Sequence, residues 1–208
     1  YRLYWIPPDT SAAEGAYVYY PFDDLLTILA LESHRNACMV IGEDLGTVPR
    51  GVRPRLERAG VLGTRLLYFE RRVPGSWPRL ALAGVTTHDL PTVAGCWTGA
   101  DLADQAAAGL EPDADGLDHL RSRLAAATGL PPTADPQDVI LATHRAVAAS
   151  PSLLAMATLE DAMRVERRPN LPGTNNAQRD NWSAALPAPL ESLPADPFVG
   201  RLVAALQR

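Results

Sequence analysis

One stretch organises this sequence, Met39-Val40-Ile41-Gly42-Glu43-Asp44-Leu45-Gly46. An apolar run begins at Ala37 and ends abruptly in two carboxylates and a glycine. This pattern is typical of a buried parallel strand whose C-terminal end opens into a site. We therefore predict a strand over residues 38–42 and take Glu43 as the first candidate catalytic residue.

The same pattern recurs along the chain. Short apolar runs occupy residues 66–69, 80–85 and 153–159, and polar tips follow the last two, Thr86-Thr87-His88-Asp89 and Glu160-Asp161. Apolar residues at helical spacing predict helices between and after these runs, from Phe22 for about a dozen residues, from residue 49 to near Gly60, over residues 143–149 and from Phe198. Strands that alternate with helices indicate the α/β class, built from parallel βα units.

Two further segments have a distinct composition. Residues 15–21 carry three tyrosines and are predicted to form a loop, in which the rings either stack on sugar faces or pack the rim of a barrel. Residues 101–138 are rich in Ala, Asp and Pro, with helical fragments between the prolines. We interpret residues 101–138 as a helical insertion on the surface.

Composition excludes several classes of function. The chain has a net charge of −5 and a pI near 5.3, which favours a neutral or weakly polar substrate over nucleic acid. No apolar segment approaches the roughly 20 residues of a membrane span. Cys38 and Cys96 have neither metal-like nor paired spacing, so we expect both to be buried in a protein of a reducing compartment, the cytoplasm.

Histidine spacing gives no reason to expect a metal site. His34 is expected at a solvated helix end, and His119 and His144 lie in polar helical surroundings without a carboxylate or cysteine at ligand spacing. No cofactor is implied either.

The candidate chemistry lies at the predicted strand ends. Catalytic groups of a parallel βα array gather at the C-terminal ends of its strands, where Glu43, His88 and Asp89 are expected. Two carboxylates and a histidine suit glycosidic chemistry, because one carboxyl protonates a leaving oxygen while another stabilises positive charge at the anomeric carbon. Asp44 has two open interpretations, a catalytic group or a structural partner for the loop or a nearby arginine. For Glu160-Asp161 the structural alternative is that the pair only starts the last helix.

Several segments together resemble a known family. They are Ile41-Gly42-Glu43-Asp44-Leu45-Gly46-Thr47-Val48-Pro49, Thr86-Thr87-His88-Asp89-Leu90-Pro91-Thr92, Asn170-Leu171-Pro172-Gly173-Thr174 and Asn181-Trp182, with a further likeness over residues 15–24. Their order is similar to that of the bacterial 4-α-glucanotransferases called amylomaltases or disproportionating enzymes. The resemblance spans nearly the whole chain and weakens around residues 101–138.

The resemblance implies a fold and a set of roles. The fold would be a (β/α)₈ barrel related to the α-amylases, performing a retaining double displacement on α-1,4-glucans or maltooligosaccharides. Glu43 would be the general acid/base and Asp89 the carboxylate that stabilises the transition state. His88, Phe69 and Asn181 would contact substrate. Ser183-Ala184-Ala185 departs from the basic residues that often follow Asn-Trp in the family.

One family motif is absent. The nucleophilic aspartate of the family belongs to an Arg-x-Asp-His motif that precedes the segment similar to residues 1–6, and this sequence has no such motif. Residues 1–208 are therefore expected to form a partial catalytic domain, about strands five to eight of the barrel, that partners the missing N-terminal half and is inactive alone. Two alternatives stay open, a catalytically dead glucan-binding fragment and an α-amylase-like hydrolase.

Overall fold

The chain folds into two compact units. The computed structural model describes residues 1–207, and the units comprise Tyr1–Thr64 and Arg65–Arg208. Both helices and strands are present, which confirms the mixed α/β class. Among the described residues, no helix combines the length and apolar character that crossing a membrane requires.

The first unit opens with an antiparallel hairpin. Strand β1 (Arg2–Trp5) pairs with β2 (Ala16–Tyr19), from Arg2 opposite Tyr19 to Trp5 opposite Ala16. Tyr4 and Tyr17 face each other with ring centroids 4.9 Å apart, a cross-strand aromatic contact that stabilises a hairpin. The predicted loop over residues 15–21 is thus wrong, because its tyrosines and valine have the strand preference that the hairpin uses.

Two helices follow the hairpin. Helix α1 (Phe22–Arg35) confirms the prediction, with Asp23 and Asp24 in its first turn, where the helix dipole favours acids. His34 lies exposed in its last turn, also as predicted. Helix α2 (Val52–Arg58) ends just before Gly60, whose φ of 73° is the left-handed conformation that glycine adopts readily.

The predicted strand over residues 38–42 is reduced to an isolated bridge. Ile41 pairs with Leu62 in parallel, and the Gly42 amide donates to the Leu62 carbonyl at 2.7 Å. The run is shorter than predicted because its start belongs to the end of α1: Ala37 has a φ of 48°, and the Cys38 amide donates to the Ser33 carbonyl. Cys38 is exposed, which contradicts the expectation that both cysteines are buried, whereas Cys96 is buried.

A short three-stranded sheet lies in the second unit. Strand β3 (Gly63–Leu66) crosses the unit boundary and is followed by β4 (Ala81–Gly84) and β5 (Leu154–Ala155), in the order β3-β4-β5. Strands β4 and β5 pair in parallel, as the alternating pattern predicts. The run at 66–69 mostly follows β3, although the Leu67 and Tyr68 amides still donate to carbonyls of residues 84 and 85.

Helices pack around this sheet. They are α3 (Val93–Thr98), α4 (Ala100–Ala107), α5 (Ala114–Thr128), α6 (Pro136–Ala148), α7 (Leu159–Ala162) and α8 (Pro197–Leu206), with 3₁₀ turns at Pro74–Ser76 and Leu190–Ala195. The predicted helices at 143–149 and from Phe198 are confirmed. Glu160 and Asp161 lie in α7, which agrees with the structural alternative that the sequence left open for them. A capping side chain begins five of the six, Thr92, Asp113, Asp135, Thr158 and Asp196.

Residues 101–138 are helical, as expected, but part of this segment is buried and does not form an insertion on the surface. Leu117 and Leu124 of α5 are buried, and both belong to the apolar core that also contains Val139 and Ile140 of α6. Each buried leucine contributes about 1.5–3 kcal/mol of transfer free energy. The α5 side chains therefore help to hold the sheet and the loops that follow it.

Candidate active site

Glu43 lies in the first unit, directly after the bridge between Ile41 and Leu62. Its side chain is exposed and lines a cavity of about 250 Å³. Tyr1, Tyr17 and Pro49 contribute to the walls of the same cavity. A carboxyl in this setting is open to a ligand and to solvent.

The side chain of Asp44 is buried and hydrogen-bonded, whereas that of Glu43 is exposed. Asp44 is 5% exposed, and its carboxylate accepts hydrogen bonds from Arg53 Nε at 2.6 Å and from the Thr64 amide at 2.7 Å. The Asp44 carbonyl accepts a further bond from Arg53 at 2.6 Å. Of the two interpretations of Asp44, the structural partner of an arginine is therefore the one observed. These bonds also fix the backbone from which Glu43 projects.

His88 and Asp89 lie together in the loop after β4. Each side chain is 46% exposed, and His88 Nε2 lies 3.5 Å from Asp89 Oδ1. Asn170 donates to the same oxygen through Nδ2 at 2.7 Å, and the backbone amide of Asn170 donates to the His88 carbonyl. The Asp89 carboxylate is thus held by a neutral donor and still reaches solvent.

Trp182 completes this cluster. Its ring is 64% exposed, and its centroid lies 4.7 Å from that of His88, with the planes tilted by 52°. The backbone has a φ of 62°, which is uncommon for a bulky residue, and the Trp182 amide donates to the Pro169 carbonyl. Sequence reasoning assigned roles to neither Trp182 nor Asn170. The available signal was an aromatic and an amide in a loop rich in Pro, Asn and Gly.

Asn181 is less accessible than His88 and Phe69, the other two predicted substrate contacts. It is 6% exposed; its Oδ1 accepts from Leu171 N at 3.0 Å and from Arg179 at 2.7 Å, and its Nδ2 donates to Thr174. Only one amide hydrogen remains to offer a ligand. In the described structure Asn181 braces the loop over residues 170–182, and its contact with substrate stays a prediction.

Phe69 lies beyond the end of β3, and its ring is 51% exposed. It lines a cavity of about 500 Å³ together with Leu90, Pro91 and Arg168. Leu90 and Pro91 follow Asp89 directly, so Phe69 borders a space next to the loop that carries the candidate site. An open aromatic face beside a cavity suits a sugar ring.

Two buried arginines, Arg168 and Arg179, donate hydrogen bonds to the backbone of the segments that carry this cluster. Arg168 forms a paired contact with Asp101, at 2.8 and 2.6 Å, and donates to the Asp89 carbonyl at 2.8 Å. Arg179 is bound to Asp104 and donates to the Arg168 carbonyl. Asp101 and Arg168 are 1% and 8% exposed, so their charges are removed from water and depend on each other.

This pair yields a prediction about stability. Arg168→Leu leaves the Asp101 carboxylate buried without its partner, and we expect a loss of about 3–5 kcal/mol in the free energy of unfolding. Arg167→Leu is the control, since Arg167 contacts Asp104 on the surface and such pairs are worth about 1 kcal/mol or less. Urea unfolding of the full-length protein measures both, and equal losses would contradict the importance of the buried pair.

The described residues contain no group of three or more His, Cys, Asp or Glu side chains that could hold a metal ion. The candidate groups of the second unit are Asp89, His88, Asn170 and Trp182. A half-exposed carboxylate, an imidazole, an amide and an aromatic face together can bind hydroxyl groups and stabilise a developing positive charge.

Comparison with known proteins identifies relatives along almost all of the sequence. The family model described as 4-alpha-glucanotransferase matches residues 1–190. The chain is 36% identical over 212 residues to the 4-alpha-glucanotransferase of Mycobacterium tuberculosis and 37% identical over 214 residues to that of Haemophilus influenzae. Both alignments cover 91% of this chain, which spans 29% and 30% of the length of these curated relatives.

Solved structures agree with the sequence matches. The amylomaltase of Corynebacterium glutamicum superposes with a TM-score of 0.88 and 30% identity, covering 100% of this chain and 34% of its own. The amylomaltase of Streptococcus agalactiae in complex with acarbose gives a TM-score of 0.69 at 16% identity, covering 97% and 38%. The second likeness concerns the fold alone. On these matches, the chain belongs to the 4-alpha-glucanotransferase family, and it corresponds to about a third of an amylomaltase.

Proposed function

We propose that the parent protein transfers a segment of an α-1,4-glucan from a donor to the 4-position of glucose or another glucan, by a retaining double displacement. The observation that carries this proposal is the Asp89 carboxylate, held at 2.7 Å by Asn170, close to His88 and half open to solvent. In a glycosyl transfer the sugar ring acquires oxocarbenium character, and a fixed negative charge beside it stabilises that state.

Glu43 is the proposed general acid/base. It protonates the oxygen of the leaving glucan in the first step, and it removes a proton from the acceptor hydroxyl in the second. Support comes from its open side chain on a cavity wall and from the rigid anchoring of its neighbour Asp44. A fixed backbone with a free carboxyl at its surface suits a group that must meet two different oxygens in turn.

Substrate contacts are proposed for four side chains. His88 donates to a hydroxyl of the reacting glucose, Phe69 offers its exposed face to a neighbouring sugar, and Asn181 supplies its remaining amide hydrogen. Trp182 joins them, because its ring is open to solvent beside His88. The acarbose complex of the Streptococcus agalactiae relative makes acarbose a suitable probe for these contacts.

The proposed architecture is the C-terminal half of a (β/α)₈ barrel, about strands five to eight. The parallel bridge between Ile41 and Leu62 and the parallel pairing of β4 with β5 support it. Loops after such strands carry the candidate groups, as the barrel requires. The nucleophile that forms the covalent glucosyl intermediate then comes from the N-terminal half, the activity needs no cofactor, and the enzyme works in the cytoplasm.

The full-length parent with maltotriose tests this function. We expect both shorter and longer maltooligosaccharides to form, with no net gain of reducing ends, because the anomeric carbon freed from the donor is bonded to an acceptor 4-hydroxyl instead of to water. Chromatography of the products and a reducing-sugar assay measure the two quantities. The chain of residues 1–208 alone is the matched comparison and should give no products until the N-terminal half is added.

Other outcomes identify the alternatives. A rise in reducing ends without longer products would show an α-amylase-like hydrolase. Binding of acarbose without any turnover by the parent would show a glucan-binding protein, and either result would refute the proposed transferase.

A further inference from the structure

Buried side chains form hydrogen bonds with the C-terminal end of the loop that carries His88 and Asp89. The Val93 amide donates to Asp161 Oδ1 at 2.9 Å, and Tyr68 Oη lies 3.4 Å from the Thr92 carbonyl. Thr92 Oγ1 donates to the Glu166 carbonyl at 3.1 Å. Asp161 is thus the carboxyl group that fixes the junction between this loop and α3.

Asp161 is entirely buried and faces a second titratable group. Its Oδ2 lies 3.5 Å from Nε2 of His144, and their side chains are 0% and 1% exposed. Within the described chain neither of these two atoms has a hydrogen-bond partner. Sequence reasoning placed His144 in polar helical surroundings without a carboxylate at ligand spacing. His144 does lie on a helix, α6, but its side chain is buried, and the fold brings the Asp161 carboxyl against it from α7.

The orientation of His144 shows what the pair must contain. His144 Nδ1 lies 2.9 Å from the Ile140 carbonyl, which only accepts, so Nδ1 carries a hydrogen. A neutral imidazole would then present a lone pair to an ionised carboxylate, and two acceptors repel each other in a buried site. The pair therefore holds one further proton. Burial raises the pKa of the Asp161 carboxyl, while His144 and the Val93 amide oppose that rise.

We propose that Asp161, backed by His144, is a positioning residue that sets the location of Asp89 by fixing the amide of Val93. This inference rests on the proposed function for its kinetic consequence, but the fixed loop is a property of the fold. A small displacement of a reacting group can cost about 10²-fold in rate. Asp161 touches no substrate and acts only through the loop.

Two substitutions at Asp161 in the full-length protein separate geometry from charge. Asp161→Ala removes the acceptor for Val93, and we expect kcat to fall about 10- to 100-fold with KM little changed. Asp161→Asn keeps that acceptor and can donate to His144 Nε2, so its kcat should stay within about threefold of wild type. Rescue by asparagine distinguishes positioning by a hydrogen bond from a need for the charge.

A third variant breaks the same bond from the other side. Val93→Pro removes the donating amide, and proline is tolerated at this first position of α3, after the extended Thr92. It leaves the pair of His144 and Asp161 intact, so it remains informative if Asp161→Ala fails to fold. We expect the same loss of kcat, and the double variant Asp161→Ala, Val93→Pro should be no worse than either single change.

Hydrogen exchange supplies a readout that does not depend on catalysis. In Asp161→Ala and Val93→Pro, the amides of residues 86–90 and 92 should exchange faster than in wild type, while those of α5 should not change. Asp135→Ala is the control, since Asp135 also accepts from an amide in the first turn of a helix, that of Gln137 in α6, far along the chain from this loop. It should lower stability without altering exchange at residues 86–92 or kcat.

The outcomes divide cleanly. Unchanged exchange over residues 86–92 and a kcat within twofold of wild type in Asp161→Ala or Val93→Pro would overturn the inference, as would an Asp161→Asn variant that is as impaired as the alanine variant. If the wild-type parent transfers no glucan, the proposed function fails, and hydrogen exchange alone still decides whether Asp161 fixes the loop.

Discussion

Glu43→Gln in the full-length parent is expected to lower the turnover of maltotriose by at least about 10²-fold, and by up to 10⁴-fold or more. The amide keeps the shape of the side chain but has no acidic proton to transfer to the leaving oxygen. Since the same group serves both steps, the loss enters each of them. The measurement is kcat with maltotriose, together with the affinity for acarbose, which should be nearly unchanged.

Glu57→Gln is a matched control for this prediction. Glu57 lies exposed on α2 in the same unit, so its substitution changes the same charge without touching the cavity beside Glu43. Its kcat should equal that of wild type. A Glu43→Gln variant within tenfold of wild type would remove Glu43 from the mechanism.

Asp89→Asn should reduce kcat by about 10²–10³-fold, the loss typical of removing one electrostatic contact to a transition state. Asparagine retains an oxygen to accept the hydrogen bond that Asn170 donates at 2.7 Å, so the loop geometry is preserved while the negative charge is lost. That charge gains its value only as positive charge develops on the sugar, so KM should change little.

The distribution of the effect between kcat and KM is the critical measurement for Asp89. A higher KM at unchanged kcat would make Asp89 a ground-state binding residue and refute the proposed role. Asp115→Asn is a suitable control, because Asp115 is exposed in the first turn of α5 and should alter neither quantity.

Local sequence patterns predicted those parts of the fold that depend on neighbouring residues. The period of apolar residues in α1 and the run that forms β4 are such cases, since each element is specified within its own segment. The prediction of a strand over residues 38–42 was wrong because it also used only the composition of that segment. The composition of this run favours a strand, but the turn that ends α1 includes Ala37 and Cys38.

The candidate site divides in the same way. The motifs singled out Glu43, His88 and Asp89, because carboxylates and histidine after apolar runs are visible in sequence. The contacts of Asp89 with Asn170, and of His144 with Asp161, join segments distant in the chain, and no local pattern reveals them. The burial of Asn181 could not be predicted, because a polar residue in a polar loop is expected to be exposed.

The arginine contacts beneath the candidate site have a thermodynamic consequence. Arg168 and Arg179 bind the backbone carbonyls of residues 89 and 168 from guanidinium groups that are themselves fixed by Asp101 and Asp104. The loop that presents Trp182 has therefore already lost much of its conformational entropy during folding. A sugar chain that binds against it need not order the loop, so the association carries a smaller entropic penalty than binding to a mobile loop would.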